Sequence, residues 1–212
     1  MFNEKLPDHV VYSQPVIDFV TVVAETCIFL ENTSEAGRDE FIDKSVKILP
    51  LLYLKTALLS KPEPVFEDGA ERFVTEEDYL FVKEQIEQLL GADDSYLEVF
   101  HPDMALSDTP IAAFVSENIA DIYQELKDFA ANYQTADHDV MNDALVVCLE
   151  AFTEHWGQKL LNALRALHAL RYSDSFGAEV NESPQTVKLD RNAFLGFLHD
   201  EEEENEYGKL LD

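Results

Sequence analysis

The chain reads as an all-α protein: a single helical bundle of about five main helices, the usual build of such a domain, followed by an acidic tail. Three observations lead there. Apolar residues recur at helical spacing in successive runs. Two runs open on a cap residue with proline close behind, the order that helix starts favour. The last run, from Val140 to Tyr172, is long and apolar on more than one side, with Leu149, Phe152, Trp156, Leu160, Ala163, Leu167 and Leu170 in one stripe and Val147 and Leu161 opposite. A helix of that kind is expected at the centre of the bundle, contacted by several neighbours.

The first helix is signalled by Ser13 as cap and Pro15 in the first turn. Val16, Phe19, Val20, Val23, Cys27 and Leu30 form its broad apolar face, and Asp18, Thr21 and Glu25 leave a narrow polar stripe. The second helix is expected from Asp39 to Ser60 with a kink at Pro50, because proline removes a backbone donor. Lys61-Pro62-Glu63-Pro64 ends it, and the segment to Phe73 reads as loop. Thr75 then caps a third helix whose first turn holds Glu76, Glu77 and Asp78 at the positive end of the dipole, and Gly91 closes it. Tyr96 to Phe100 reads as extended. Thr109-Pro110 is expected to open the fourth helix, with Ile111, Phe114, Ile119, Ile122, Leu126 and Phe129 facing the core and Asp121, Gln124, Glu125 and Asp128 facing water. The helical domain is expected to span residues 1–172. Residues 173–212 read as linker and tail, in which Phe194, Leu195, Phe197 and Leu198 form a short hydrophobic anchor beside the acidic run Glu201 to Glu204.

Charge is the strongest compositional signal. Of 212 residues, 43 are acidic and 15 basic, a formal net charge of -28, while the hydrophobic fraction of 46% is ordinary for a folded domain. Such a charge repels phosphate backbones and anionic lipid, which argues against nucleic acid or a membrane surface as partner. It suits solubility in a crowded cytoplasm, or a basic partner. The run Val16 to Leu30 is interrupted by Asp18 and Glu25 and is too short to span a bilayer, and the N-terminal residues show no signal-peptide pattern, so a cytoplasmic location is expected. Cys27 and Cys148 both sit in apolar helical patterns, where free cysteine behaves as a small hydrophobe.

Four stretches, in this order, carry a resemblance: Ile48-Leu49-Pro50-Leu51-Leu52-Tyr53, Tyr96 to Phe100, Ile119-Ala120-Asp121-Ile122-Tyr123-Gln124-Glu125-Leu126-Lys127, and His155 to Leu170. Over roughly Ser13 to Arg171 the chain resembles a widespread bacterial domain-of-unknown-function family of small acidic all-helical proteins. The resemblance implies a helical bundle and supplies no catalytic residues to carry over.

The residues themselves offer one candidate polar cluster. At about 100° per residue, Arg165 points opposite Trp156, and His168 lies between those two faces. If the fourth helix packs on that side, Asp121 or Glu125 meets Arg165 or His168, forming either a pocket for an anionic or acidic ligand or a structural ion pair. Metal signals are thin. Glu98-x-x-His101 is half of a di-iron pattern, His138-Asp139 and His199-Asp200 are isolated doublets, and Glu84 with Glu87 on one helix face suits a solvated surface as well as Mg²⁺. No glycine-rich phosphate loop and no nucleophile elbow is present, so no catalytic residue, metal or cofactor is assigned. The expectation is a non-enzymatic protein-interaction module that meets a basic protein or self-associates through its tail. The alternatives are a divalent-metal-dependent hydrolase of a small phosphorylated compound, or an acidic mimic of nucleic acid charge.

Overall fold

A computed structural model of the chain describes residues 9–98, 111–174 and 176–177. The tail anchor Phe194, Leu195, Phe197 and Leu198 lies outside the described residues, as do His101 and His199. Six helical segments follow one another: α1 (Gln14–Glu31), α2 (Arg38–Ala57), α3 (Glu76–Leu90), α4 (Val115–Tyr133), α5 (His138–Ala151) and α6 (Gly157–Arg171). A π turn over Phe152–Trp156 joins α5 to α6 without a break. Residues 138–171 therefore make one helical run, and the molecule is an all-α bundle of five main helices with a long C-terminal one.

Local chemistry explains most of these limits. Thr75 and Asp78 form a reciprocal capping box at the start of α3, the side chain of each taking the other's backbone N–H. Ser13 holds the N-cap position of α1 without a side-chain bond, so the start there rests on Pro15 in the first turn. α2 runs through Pro50 as one element, with that proline on its exposed side.

The expected start of the fourth helix at Thr109-Pro110 is overturned. Ile111–Phe114 is a strand, β2, paired antiparallel with β1 (Ser95–Glu98) in the register Ser95 to Phe114 and Glu98 to Ile111. α4 starts only at Val115, and its cap comes from elsewhere in the chain. Buried Asp94 accepts the backbone N–H and the hydroxyl of Ser116, both at 2.7 Å. A carboxylate from residue 94 does the work that a local cap performs in other helices.

Packing follows antiparallel neighbours. Lys55 of α2 reaches Asp18 of α1, Phe19 of α1 meets Phe129 of α4, Tyr79 of α3 meets Asp121 of α4, and Arg171 of α6 pairs with Asp43 of α2. The fully buried side chains include Trp156, Phe19, Phe41, Ile42, Leu52, Ile86, Ile119, Ile122, Leu126, Leu145, Leu160 and Leu167, which join all six segments in one core. α5 and α4 are the most enclosed segments; from Met141 to Val146 every α5 residue is buried. α6 has a wet side, where Leu161 is 42% exposed. Among the described residues no helix is long and apolar enough to cross a membrane.

Candidate interaction site

Between α2 and α3 the chain runs from 58 to 75 with no helix or strand of its own. Backbone donors in such a segment need partners, because an orphaned buried N–H is costly. The partners come from one polar stripe on α4, Glu125, Asp128 and Asn132, and from the adjacent pair Asn142 and Asp143 on α5. All five are at most 8% exposed.

The bonds form a ladder. Asn142 Nδ2 donates to the Glu63 carbonyl at 2.8 Å. Asp143 accepts Val65 N–H at 2.7 Å and Phe66 N–H at 2.6 Å, one on each oxygen. Asn132 donates to the Glu71 carbonyl at 2.8 Å and accepts its N–H at 3.3 Å. Asp128 Oδ1 accepts both Phe73 N–H, at 2.7 Å, and Val74 N–H, at 2.8 Å. Its other oxygen, with Glu125, holds the Arg72 guanidinium at 3.1 and 2.9 Å. Burial pushes the Asp143 carboxyl up, but the two N–H donors and the Asn142 amide outweigh it and leave the group below the usual carboxylate range. At Arg72 burial works against the charge, and the two carboxylates overcome it and raise the pKa.

The ladder displays the segment. Val65 is 51% exposed, Phe66 47% and Phe73 44%. At Gly69 the backbone has φ 69°, a left-handed conformation that suits glycine where the loop passes Val147 of α5. Between loop and helix lies a groove of about 420 Å³ lined by Pro64, Val65, Phe66, Glu67, Gly69, Asp143, Val146, Val147 and Glu150. A second, smaller space of about 10 Å³, lined by Arg72, Glu125, Asp128 and Cys148 among others, has room for about one water. Cys148 on its wall is buried and its thiol is pushed up by that burial, and the Cys27 thiol is pushed up to about 12 by the same cause. Both sit as free, buried thiols in the core.

The four residues of the sequence-derived cluster do not meet. Glu125 belongs to the ladder, paired with Arg72. Asp121 takes the Lys159 ammonium and the Tyr79 hydroxyl. Arg165 is exposed, and among the described residues no carboxylate lies within salt-bridge reach of it. His168 is exposed against the Tyr172 ring, with centroids 4.6 Å apart. Arg165 does point opposite Trp156, but α4 packs on the Trp156 side, where Lys159 is the cation within reach. Nor is the Glu125–Asp128 face wet, because the 58–75 segment covers it. One signal for the site was available: the stripe Glu125, Asp128, Asn132 holds acceptors and an amide but no lysine or arginine, unlike an ordinary solvated face.

Of the metal signals, Glu98 lies on a strand rather than a helix, His138 stacks on His9, and Glu87 pairs with Lys83. Among the described residues no group of three or more His, Cys, Asp and Glu side chains is placed to hold a metal ion.

A bundle with a short hairpin and a pinned loop defines a class of small all-helical domain, and comparison places it. The chain belongs to the family described as Domain of unknown function (DUF5063), whose model matches residues 10–173. It is similar to protein BF1032 from Bacteroides fragilis, a structural-genomics crystal structure, with 42% identity over 78% of this chain and 97% of that one, at a TM-score of 0.70. No curated protein matches.

Proposed function

We propose that the protein is a protein-interaction module whose binding surface is the 58–75 loop and the groove beside it. One observation carries the reading: five buried polar side chains fix an otherwise irregular segment so that Val65, Phe66 and Phe73 stand half-exposed on it. Burying carboxylates is costly even when they are hydrogen-bonded, and an apolar face would close the core more cheaply. What the arrangement achieves is a loop held in one shape, which removes the ordering cost that a mobile loop bears on binding. Long irregular segments on rigid scaffolds are where binding residues concentrate. The metal-dependent hydrolase reading has no ligand group among the described residues to rest on.

Selection of a random peptide library on the whole protein tests this. Selected peptides are expected to lose at least about tenfold in affinity on Phe66→Ser, the loss that truncating a buried aromatic anchor brings, and to bind Leu161→Ser unchanged. Peptides that bind both variants equally would move the surface elsewhere.

A further inference from the structure

We infer that the groove takes a basic segment of another protein, an apolar anchor flanked by lysine or arginine, and that Lys61 occupies the place of the partner's cation in the free protein. This rests on the loop being the binding surface. The floor and one wall of the groove are apolar, Val146 and Val147 below Val65 and Phe66, and that is where an anchor side chain fits. The rim is acidic. Glu67 and Glu150 line the groove, and Glu63, Asp68 and Glu71 are exposed along the same loop.

At this rim an ammonium is already seated. Lys61 Nζ lies 2.9 Å from Glu150 Oε1, at the end of α5 where the groove opens. Glu63 and Glu154 add to the field that Glu150 sets up there, and together they favour the charged lysine. The seat is exchangeable, because both side chains are about half exposed, at 52% and 49%, and such pairs contribute little to stability. Among the described residues every lysine and arginine except Arg165 is in an ion pair, and Arg165 lies on α6, beyond the groove lining. A second copy of the chain would bring 43 acids against 15 bases to an acidic rim, so charge favours an unlike, basic partner. The same charge rejects phosphates and anionic lipid.

The probe is acetyl-Lys-Lys-Phe-Leu-Lys-Lys-amide, with serine and glutamate replacing lysine in two control peptides, titrated by fluorescence anisotropy against the full chain at low salt. The lysine peptide is expected to bind and the glutamate peptide not to bind. Lys61→Ala should tighten the lysine peptide about three- to tenfold and Glu150→Gln should weaken it by a similar factor, the range of a single close charge pair at a surface. In Lys61→Ala/Glu150→Gln most of the gain from removing Lys61 should vanish, since its hydrogen-bonded partner is that carboxylate and Glu63 and Glu154 add less. Equal binding of lysine and serine peptides, or no tightening in Lys61→Ala, overturns the inference while a loss on Phe66→Ser keeps the loop as the surface. A lysine peptide indifferent to Phe66→Ser sits elsewhere, and the loop reading falls with it. Sedimentation as a dimer that Phe66→Ser disperses would show a second copy in the groove and overturn the basic partner.

Discussion

Gly157 follows the π turn, and a Cβ built on it would stand 2.5 Å from the Phe152 carbonyl oxygen and 3.0 Å from the Phe152 ring. That carbonyl accepts the Gly157 N–H, the five-residue bond of a π turn, so the backbone at 152 comes closer to the Cα of 157 than an ordinary helix brings it. Glycine to alanine inside a helix normally gains up to about 1 kcal/mol. Here the sign reverses. Gly157→Ala is expected to destabilise by about 1–3 kcal/mol, the cost of an overpacked site, read as a lowered midpoint in urea; an unchanged or raised midpoint would show that the π turn relaxes to α at no cost. Trp156, one residue earlier, is fully buried, and its indole N–H donates to the Cys148 carbonyl at 3.0 Å. The extra residue of the π turn carries the ring over that carbonyl. Trp156→Ala should cost about 3–5 kcal/mol, as truncation of a core aromatic does, and a thermal melt lowered by less than a degree or two would make the ring peripheral.

At the scale of elements, the 58–75 loop is held by charge, which makes its stability a function of pH. The Asp143 carboxyl sits below its ordinary value in the folded state. A depressed acid contributes stability above its unfolded pKa, near about 3.9, and loses it as pH falls through the folded value. Buried Asp94 works the other way: burial, the largest influence, raises it despite the Ser116 bonds, so its contribution weakens as pH rises through that raised value. The amides of Val65 and Phe66 are therefore expected to lose hydrogen-exchange protection in acid below the ordinary aspartate range. Asp143→Ala should expose them at neutral pH, with a stability loss of about 1–3 kcal/mol for the orphaned donors. Retained protection in that variant would mean that Asn142 and Asn132 suffice. What was legible in the sequence divides along the same line. A start written in adjacent residues, such as Thr75 with Asp78, could be read directly, whereas α2 ends at Ala57, short of the Ser60 that the prolines after Lys61 suggested. The start of α4 could not be read, because its cap is Asp94 on the far side of β1, and a strand occupies Ile111–Phe114, which the helix was expected to include. The face bearing Glu125 and Asp128 was read as wet because the loop that covers it comes from fifty residues away, as the Arg72–Glu125 bond at a separation of 53 shows.

For the whole molecule, the net charge of -28 sets a self-repulsion that the internal ion pairs do not remove. With 43 acids and 15 bases, most carboxylates have no cation to meet, even though nearly every described lysine and arginine is engaged. The pairs themselves are mostly half-exposed, so screening them costs little, whereas screening the repulsion among unpaired acids relieves a larger penalty. The two effects of salt oppose each other, and the excess of acids decides the sign. Raising NaCl from about 10 mM to about 150 mM shortens the Debye length from about 30 Å to about 8 Å, and the melting temperature is expected to rise. The same change should weaken the lysine peptide, because its attraction to Glu150 and Glu67 is screened in parallel. Stability and binding are thus predicted to move in opposite directions with one variable. A melting temperature that falls with NaCl would mean that the ion pairs, and not the repulsion among carboxylates, dominate the electrostatics of the fold.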